Sequence, residues 1–138
     1  MEETRYGMRV ELPVSYEDAI ERTTAALKTE GFGVLTTIDV KQTIKQKLDK
    51  DFRKYVILGA CNPPIAYQAL SAETELGLLL PCNVIVYETD PGRSAVSTIA
   101  PLVSLSRAAN QTLAPLGQEV DAKLRRVLAT LESQVERA

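Results

Sequence analysis

The first regular signal along the chain is an alternation of apolar and polar positions. Between residues 5 and 13, Tyr6, Met8, Val10 and Leu12 fall on one side and Arg5, Gly7, Arg9 and Glu11 on the other. That is the period of a half-buried strand, and Pro13 ends it. Ser15 then offers a helix N-cap, with Asp18 at the capping-box position. Tyr16, Ala19, Ile20, Thr23 and Leu27 recur at helical spacing. Gly31 fits the left-handed position that closes a helix, and Leu27 and Phe32 would make the contact of a Schellman ending. A second strand is expected over residues 32–38, with Phe32, Val34, Thr36 and Ile38 on one face. Asp39 can cap a short helix, with Gln42 at the capping-box position and Val40, Ile44 and Leu48 as its buried stripe.

The pattern changes in the middle of the chain. Residues 53–60 include Tyr55, Val56, Ile57 and Leu58, apolar on both faces, which predicts a central strand. Asn62 and Pro63 read as cap and first residue of another helix, which would bury Ala66, Ala69 and Leu70. Leu76 to Leu80 form an apolar connection. Strands are expected over 83–89 and 93–100, joined as a hairpin by Asp90, Pro91 and Gly92. Pro101 to Asn110 reads as a short helix of small residues. The clearest helix is the last, residues 115–136, where Leu116, Val120, Leu124, Val127, Leu131 and Val135 step by three or four and Leu128 widens the stripe. That stripe suits the chain's own sheet, and its heptad-like spacing also permits pairing between subunits. The order predicts an α+β fold of about five strands, one sheet face covered by helices.

Composition narrows the function more than the fold. The 138 residues predict a single domain spanning 1–138, large enough to hold together without disulfide or metal. Hydrophobic residues make up 45% and charged residues 25%, which argues against a disordered chain. The net charge of −2 argues against a phosphate-driven nucleic-acid binder. Histidine is absent, which removes Cys/His zinc sites and Ser-His-Asp triads by inventory. No apolar run is long enough to span a bilayer, and the first residues lack the pattern of a secretion signal, so a cytoplasmic location with reduced Cys61 and Cys82 is expected. The pair Gly31 and Gly33 is not a phosphate loop, and no cofactor motif stands out.

Chemistry concentrates in two short segments. Gly59, Ala60, Cys61, Asn62 and Pro63 place a thiol at the end of a buried strand and just before a helix N-terminus. The helix dipole there would stabilise a thiolate, although a small thiol filling space serves the same position. A second Cys-Asn pair, Cys82 and Asn83, opens the fourth strand. Two thiols are too few for structural zinc, and their spacing makes no Cys-x-x-Cys redox motif. The connection between the two pairs is broken by Thr74 and Gly77, so it can go out and return. The third and fourth strands would then run antiparallel, with Cys61 and Cys82 facing each other and Asn62 and Asn83 rimming one spot. Alternatively, both pairs merely satisfy backbone groups at turns. Lys41, Lys45, Lys47, Lys50, Arg53 and Lys54 are interleaved with Asp39, Asp49 and Asp51, which reads as a solvated helix face.

These residues also form a wider pattern. Asp39, Val40, Lys45, Lys47, Leu48, Asp51, Phe52, Tyr55, the run from Ile57 to Pro63, Ala69, Leu70 and the run from Leu79 to Val84 together resemble a bacterial and archaeal family known as domain of unknown function 302. The resemblance covers most of the chain and is less tight in the terminal helix. It implies a TATA-binding-protein-like fold, a curved antiparallel sheet against helices, often as a homodimer. It brings no established reaction, cofactor or catalytic residue, and the fold name implies no DNA binding. Two functions are therefore expected from different classes. The first is a homodimeric module that binds a small ligand or partner, with Cys61, Asn62, Pro63, Cys82 and Asn83 as candidate site residues. The second is a thiol-dependent enzyme or redox sensor using Cys61.

Overall fold

The capping residues of the sequence decide where the helices begin. In a computed structural model, which describes residues 1–100 and 113–136, Ser15 Oγ accepts the Asp18 N–H at 3.1 Å and starts helix α1 (Tyr16–Thr29). That helix ends as the pattern predicts. Gly31 is left-handed at φ 84°, the Phe32 N–H reaches the Leu27 carbonyl at 3.0 Å, and the Gly31 N–H reaches that of Lys28 at 3.0 Å. These are the two bonds of a Schellman motif. Asp39 Oδ1 accepts the Gln42 N–H at 3.0 Å and starts helix α2 (Val40–Leu48). Asn62 Oδ1 accepts the Ile65 N–H at 3.4 Å at the head of helix α3 (Pro63–Ala72). A 3-10 helix follows at Thr74–Leu79, and helix α4 spans Ala114–Glu136. The helix expected over Pro101 to Asn110 lies outside the described residues.

Six strands pair into one antiparallel sheet: β1 (Glu2–Glu3), β2 (Gly7–Leu12), β3 (Gly33–Asp39), β4 (Tyr55–Cys61), β5 (Cys82–Asp90) and β6 (Arg93–Ile99). Their order is β1-β2-β6-β5-β4-β3. The sixth strand, β1, is a two-residue edge piece that no period of two could reveal. One face of the sheet presents Met8, Val10, Leu12, Val56, Leu58, Ala60, Val84, Val86 and Val96 to α1 and α4. The terminal stripe belongs to this core. Val120, Leu124, Val127, Leu128 and Leu131 are buried against the chain's own sheet and α1, so self-covering, rather than pairing between subunits, accounts for the stripe. A second cluster of Ala69, Leu76 and Leu113 lies under α3 and the 3-10 helix.

Four expectations change with the structure. The first long strand begins at Gly7, and Tyr6 is 74% exposed rather than part of the apolar face. In β3 the register slips between Val34 and Thr36, leaving Leu35 as an extra residue. The bulge turns Thr36 and Ile38 to the face opposite Val34, because an inserted residue reverses the alternation beyond it. Helix α2 buries none of Val40, Ile44 and Leu48, since it stands beyond the strand ends and touches chiefly β3 and β4. Helix α3 buries Ile65 and Ala69, whereas Ala66 is half-buried and Leu70 is exposed, a rotation of the buried face by about one position.

Candidate functional site

The two cysteines come together because the chain reverses between them. Strand β4 ends at Cys61, α3 runs out, the 3-10 helix returns, and β5 starts at Cys82, antiparallel to β4. The register pairs Ala60 with Cys82, so Cys61 sits one step beyond its neighbour's start. Both are free thiols and both are half-buried.

Above these strand ends lies a cavity of ≈ 60 Å³ lined by α3, the 3-10 helix and the first turns of α4. Its walls include Phe32, Ile65, Ala66, Leu80 and Leu116 beside Cys61, Asn62 and Cys82. No acid, base or tyrosine is among the described residues that line it. The apolar run Leu76 to Leu80 and the start of the terminal helix, which the sequence presents as connection and core, supply much of this wall. The signal for it in the sequence is the run Leu76 to Leu80, four leucines around one glycine that follow neither a helical nor a strand period.

Asn62 uses both ends of its side chain to hold the site together. Its Oδ1 caps α3, and its Nδ2 donates to the Glu30 carbonyl at 3.3 Å. One buried amide thus ties the end of α1 to the start of α3. The approach is close enough that a Cβ on the left-handed Gly31 would lie 3.0 Å from Asn62 Nδ2. Pro63 is exposed at the first helical position and does not line the cavity. Asn83 pairs with Gly59 on β5 and is exposed; strand alternation turns it away from Cys82, so the two amides do not rim one spot. Gly59 is needed for packing on that other face. A Cβ there would collide with Thr36 Oγ1 and lie 2.9 Å from Pro81 Cγ.

Burial pushes the Cys82 thiol up to about 11, and a charge on nearby Cys61 would raise it further in the same direction. Cys82 is therefore a neutral thiol at physiological pH. Its alkylation by iodoacetamide near neutral pH is expected to be slower by a factor of about 100 or more in the native protein than in urea, as measured by mass spectrometry, because the thiolate is the reacting form. Equal rates in the two states would contradict the buried, neutral assignment. The same shift carries a sign for stability. An unfolded chain ionises this thiol at its ordinary value, whereas the folded chain keeps the proton until about 11. Stability should therefore fall as pH rises through that window, by about 2 kcal/mol, and Cys82→Ala should flatten the fall. Tyr16, pushed up to about 12 mainly by burial, adds to the loss at the alkaline end.

An open antiparallel sheet backed by helices, with an apolar cavity at the ends of two adjacent strands, is the class that fold and site define. The family model described as "Domain of unknown function DUF302" matches residues 8–131, and the chain belongs to that family. It is similar to a crystal structure of an uncharacterized conserved DUF302 protein from Bacillus stearothermophilus, with 28% sequence identity and a TM-score of 0.80. That likeness covers 94% of this chain and 98% of the other. No curated protein matches. The family carries no assigned function. Among the described residues no group of three or more Cys, Asp or Glu could hold a metal ion, and no helix is long and apolar enough to cross a membrane.

Proposed function

We infer that the protein is a binding module whose ligand is a compact apolar group held in the cavity over Cys61 and Cys82. The observation that supports this is the character of the wall, which is apolar but for two thiols and an amide whose two ends are both hydrogen-bonded to backbone groups. The volume is less than half of the roughly 150 Å³ that holds benzene in an engineered core, so the fit is to a short alkyl or thioalkyl group. A cytoplasmic location, where both thiols stay reduced, belongs to the same reading. The alternative of a thiol enzyme using Cys61 is less well supported, because none of the described cavity residues can act as a general base for it.

Xenon and 1-butanol are suitable probes for such a cavity. Amide and methyl NMR shifts should change saturably at Ile65, Ala66 and Leu116 in the native chain. Ala66→Leu, which fills the space from α3, should abolish the change while leaving the remaining spectrum in place. Absence of any saturable shift with both probes would overturn the reading.

A further inference from the structure

Cys61 and Cys82 are the only cysteines of the chain, and both line one cavity. The register sets Cys82 opposite Ala60, one residue before Cys61. Adjacent strands lie about 4.8 Å apart and rise about 3.3 Å per residue, which puts the two α-carbons about 6 Å apart. Alternation alone would turn Cys61 away from Ala60. Strand β4 stops at Cys61, however, and the chain turns at Asn62 into α3, which leaves Cys61 on the cavity wall with Cys82. Neither thiol is in a disulfide. The wall offers no other ligand. The Asn62 amide already has the Ile65 N–H on its Oδ1 and the Glu30 carbonyl on its Nδ2. No carboxylate is among the described residues that line the cavity, and the remaining wall is apolar.

We propose that Cys61 and Cys82 together bind one soft monovalent cation, Cu(I), as a two-coordinate dithiolate. The inference rests on the reading of this cavity as a binding site and adds a second kind of ligand to it. Two thiols with no oxygen or nitrogen donor beside them form a set that few ions accept. Zinc takes four ligands, and magnesium and calcium take six or more, mostly oxygens. Each of these would give up its water for a wall with too few donors. Cu(I) is soft, selects thiolates and is satisfied by two of them. Binding leaves every oxidation state unchanged: one Cu(I) enters, both thiols lose their protons to solvent, and two copper–sulfur bonds form. The product carries one negative charge. Helix α3 begins directly after Asn62, so its positive end stands at Cys61 and favours that charge.

The test is an anaerobic titration of the reduced full chain with Cu(I), in competition with a chromophoric Cu(I) chelator. One ion should bind per chain, and Zn(II) at the same concentration should not displace it. X-ray absorption at the copper edge should find two sulfur neighbours and no nitrogen or oxygen. That measurement uses the unsubstituted chain, so it decides the matter even if a variant fails to fold. Cys61→Ser and Cys82→Ser should each weaken binding by about 100-fold or more, since losing even a group that only orients a ligand costs roughly 10–100-fold. Copper and xenon are read separately. Xenon shifts without copper binding would overturn the dithiol site and leave the apolar cavity standing. Copper held by two sulfurs without xenon shifts would support the dithiol site and overturn the apolar ligand. A stoichiometry other than one ion per chain, an oxygen or nitrogen neighbour, or undiminished affinity in either serine variant would each overturn the proposal.

Discussion

Gly7→Ala is expected to destabilise the protein by roughly 3 kcal/mol or more, a large fraction of the 5–15 kcal/mol that holds a typical domain together. Gly7 sits where the turn from β1 enters β2, with its N–H on Thr4 Oγ1 at 3.0 Å and its carbonyl accepting the Thr4 N–H at 2.8 Å. A Cβ at this position would overlap the Thr98 carbonyl oxygen and lie 2.9 Å from its carbon and 3.0 Å from the Ala100 nitrogen. These are backbone atoms of β6 and the residues after it, so no side chain can swing aside. Either β2 separates from β6 at Ile99 or the turn is rebuilt. Urea denaturation should show the loss, and hydrogen exchange should localise it to β1, β2 and the end of β6. A variant with wild-type stability would mean that the close approach of β2 to β6 is misplaced.

Leu128→Ala should cost about 2–5 kcal/mol through lost burial and the cavity left behind. Leu128 is 0% exposed and lies with Leu124 and Leu131 in the layer between α4, α1 and the sheet. Among the described residues, helix and sheet hold the space from opposite sides, which limits its collapse. The melting temperature should fall by several degrees for each kcal/mol lost in a chain of this length. Leu78→Ala, at a site 84% exposed, changes the same residue type outside any core and should stay within about 0.5 kcal/mol of the native protein. Similar losses at both positions would show that α4 is not part of the cooperative core.

The candidate site is partly legible in the amino-acid sequence. Cys61 and Cys82 stand out there because a broken connection permits an antiparallel return, and that topology holds. Their surroundings are less legible. Asn62 reads both as the cap of α3 and as a rim of the pocket; the cap is there, and its Nδ2 goes to the Glu30 carbonyl, a partner the local pattern does not show. Asn83 reads as its twin, but a strand residue faces away from its neighbour, and nothing in the local pattern tells which face of β5 the helices will cover.

What the sequence alone determined are the features whose cause lies within a few residues. Ser15, Asp39 and Asn62 cap the helices that follow them because each side chain reaches an amide three residues on. Gly31 ends α1 because the left-handed turn it permits puts two amides on the last carbonyls. The stripe from Leu116 to Val135 is helical because its spacing allows nothing else. Tertiary structure decided what depends on a distant partner. The slip at Leu35 exists only relative to β4, and it sends Ile38 to the sheet face that carries Ile57 and Ile85. Strand β1 is defined by Arg9 and Met8 across from it, and α2 is amphipathic in sequence yet uncovered because the connection from β3 to β4 carries it past the end of the sheet. An alternating pattern marks two faces of a strand, but only the assembled layers choose which of them becomes core.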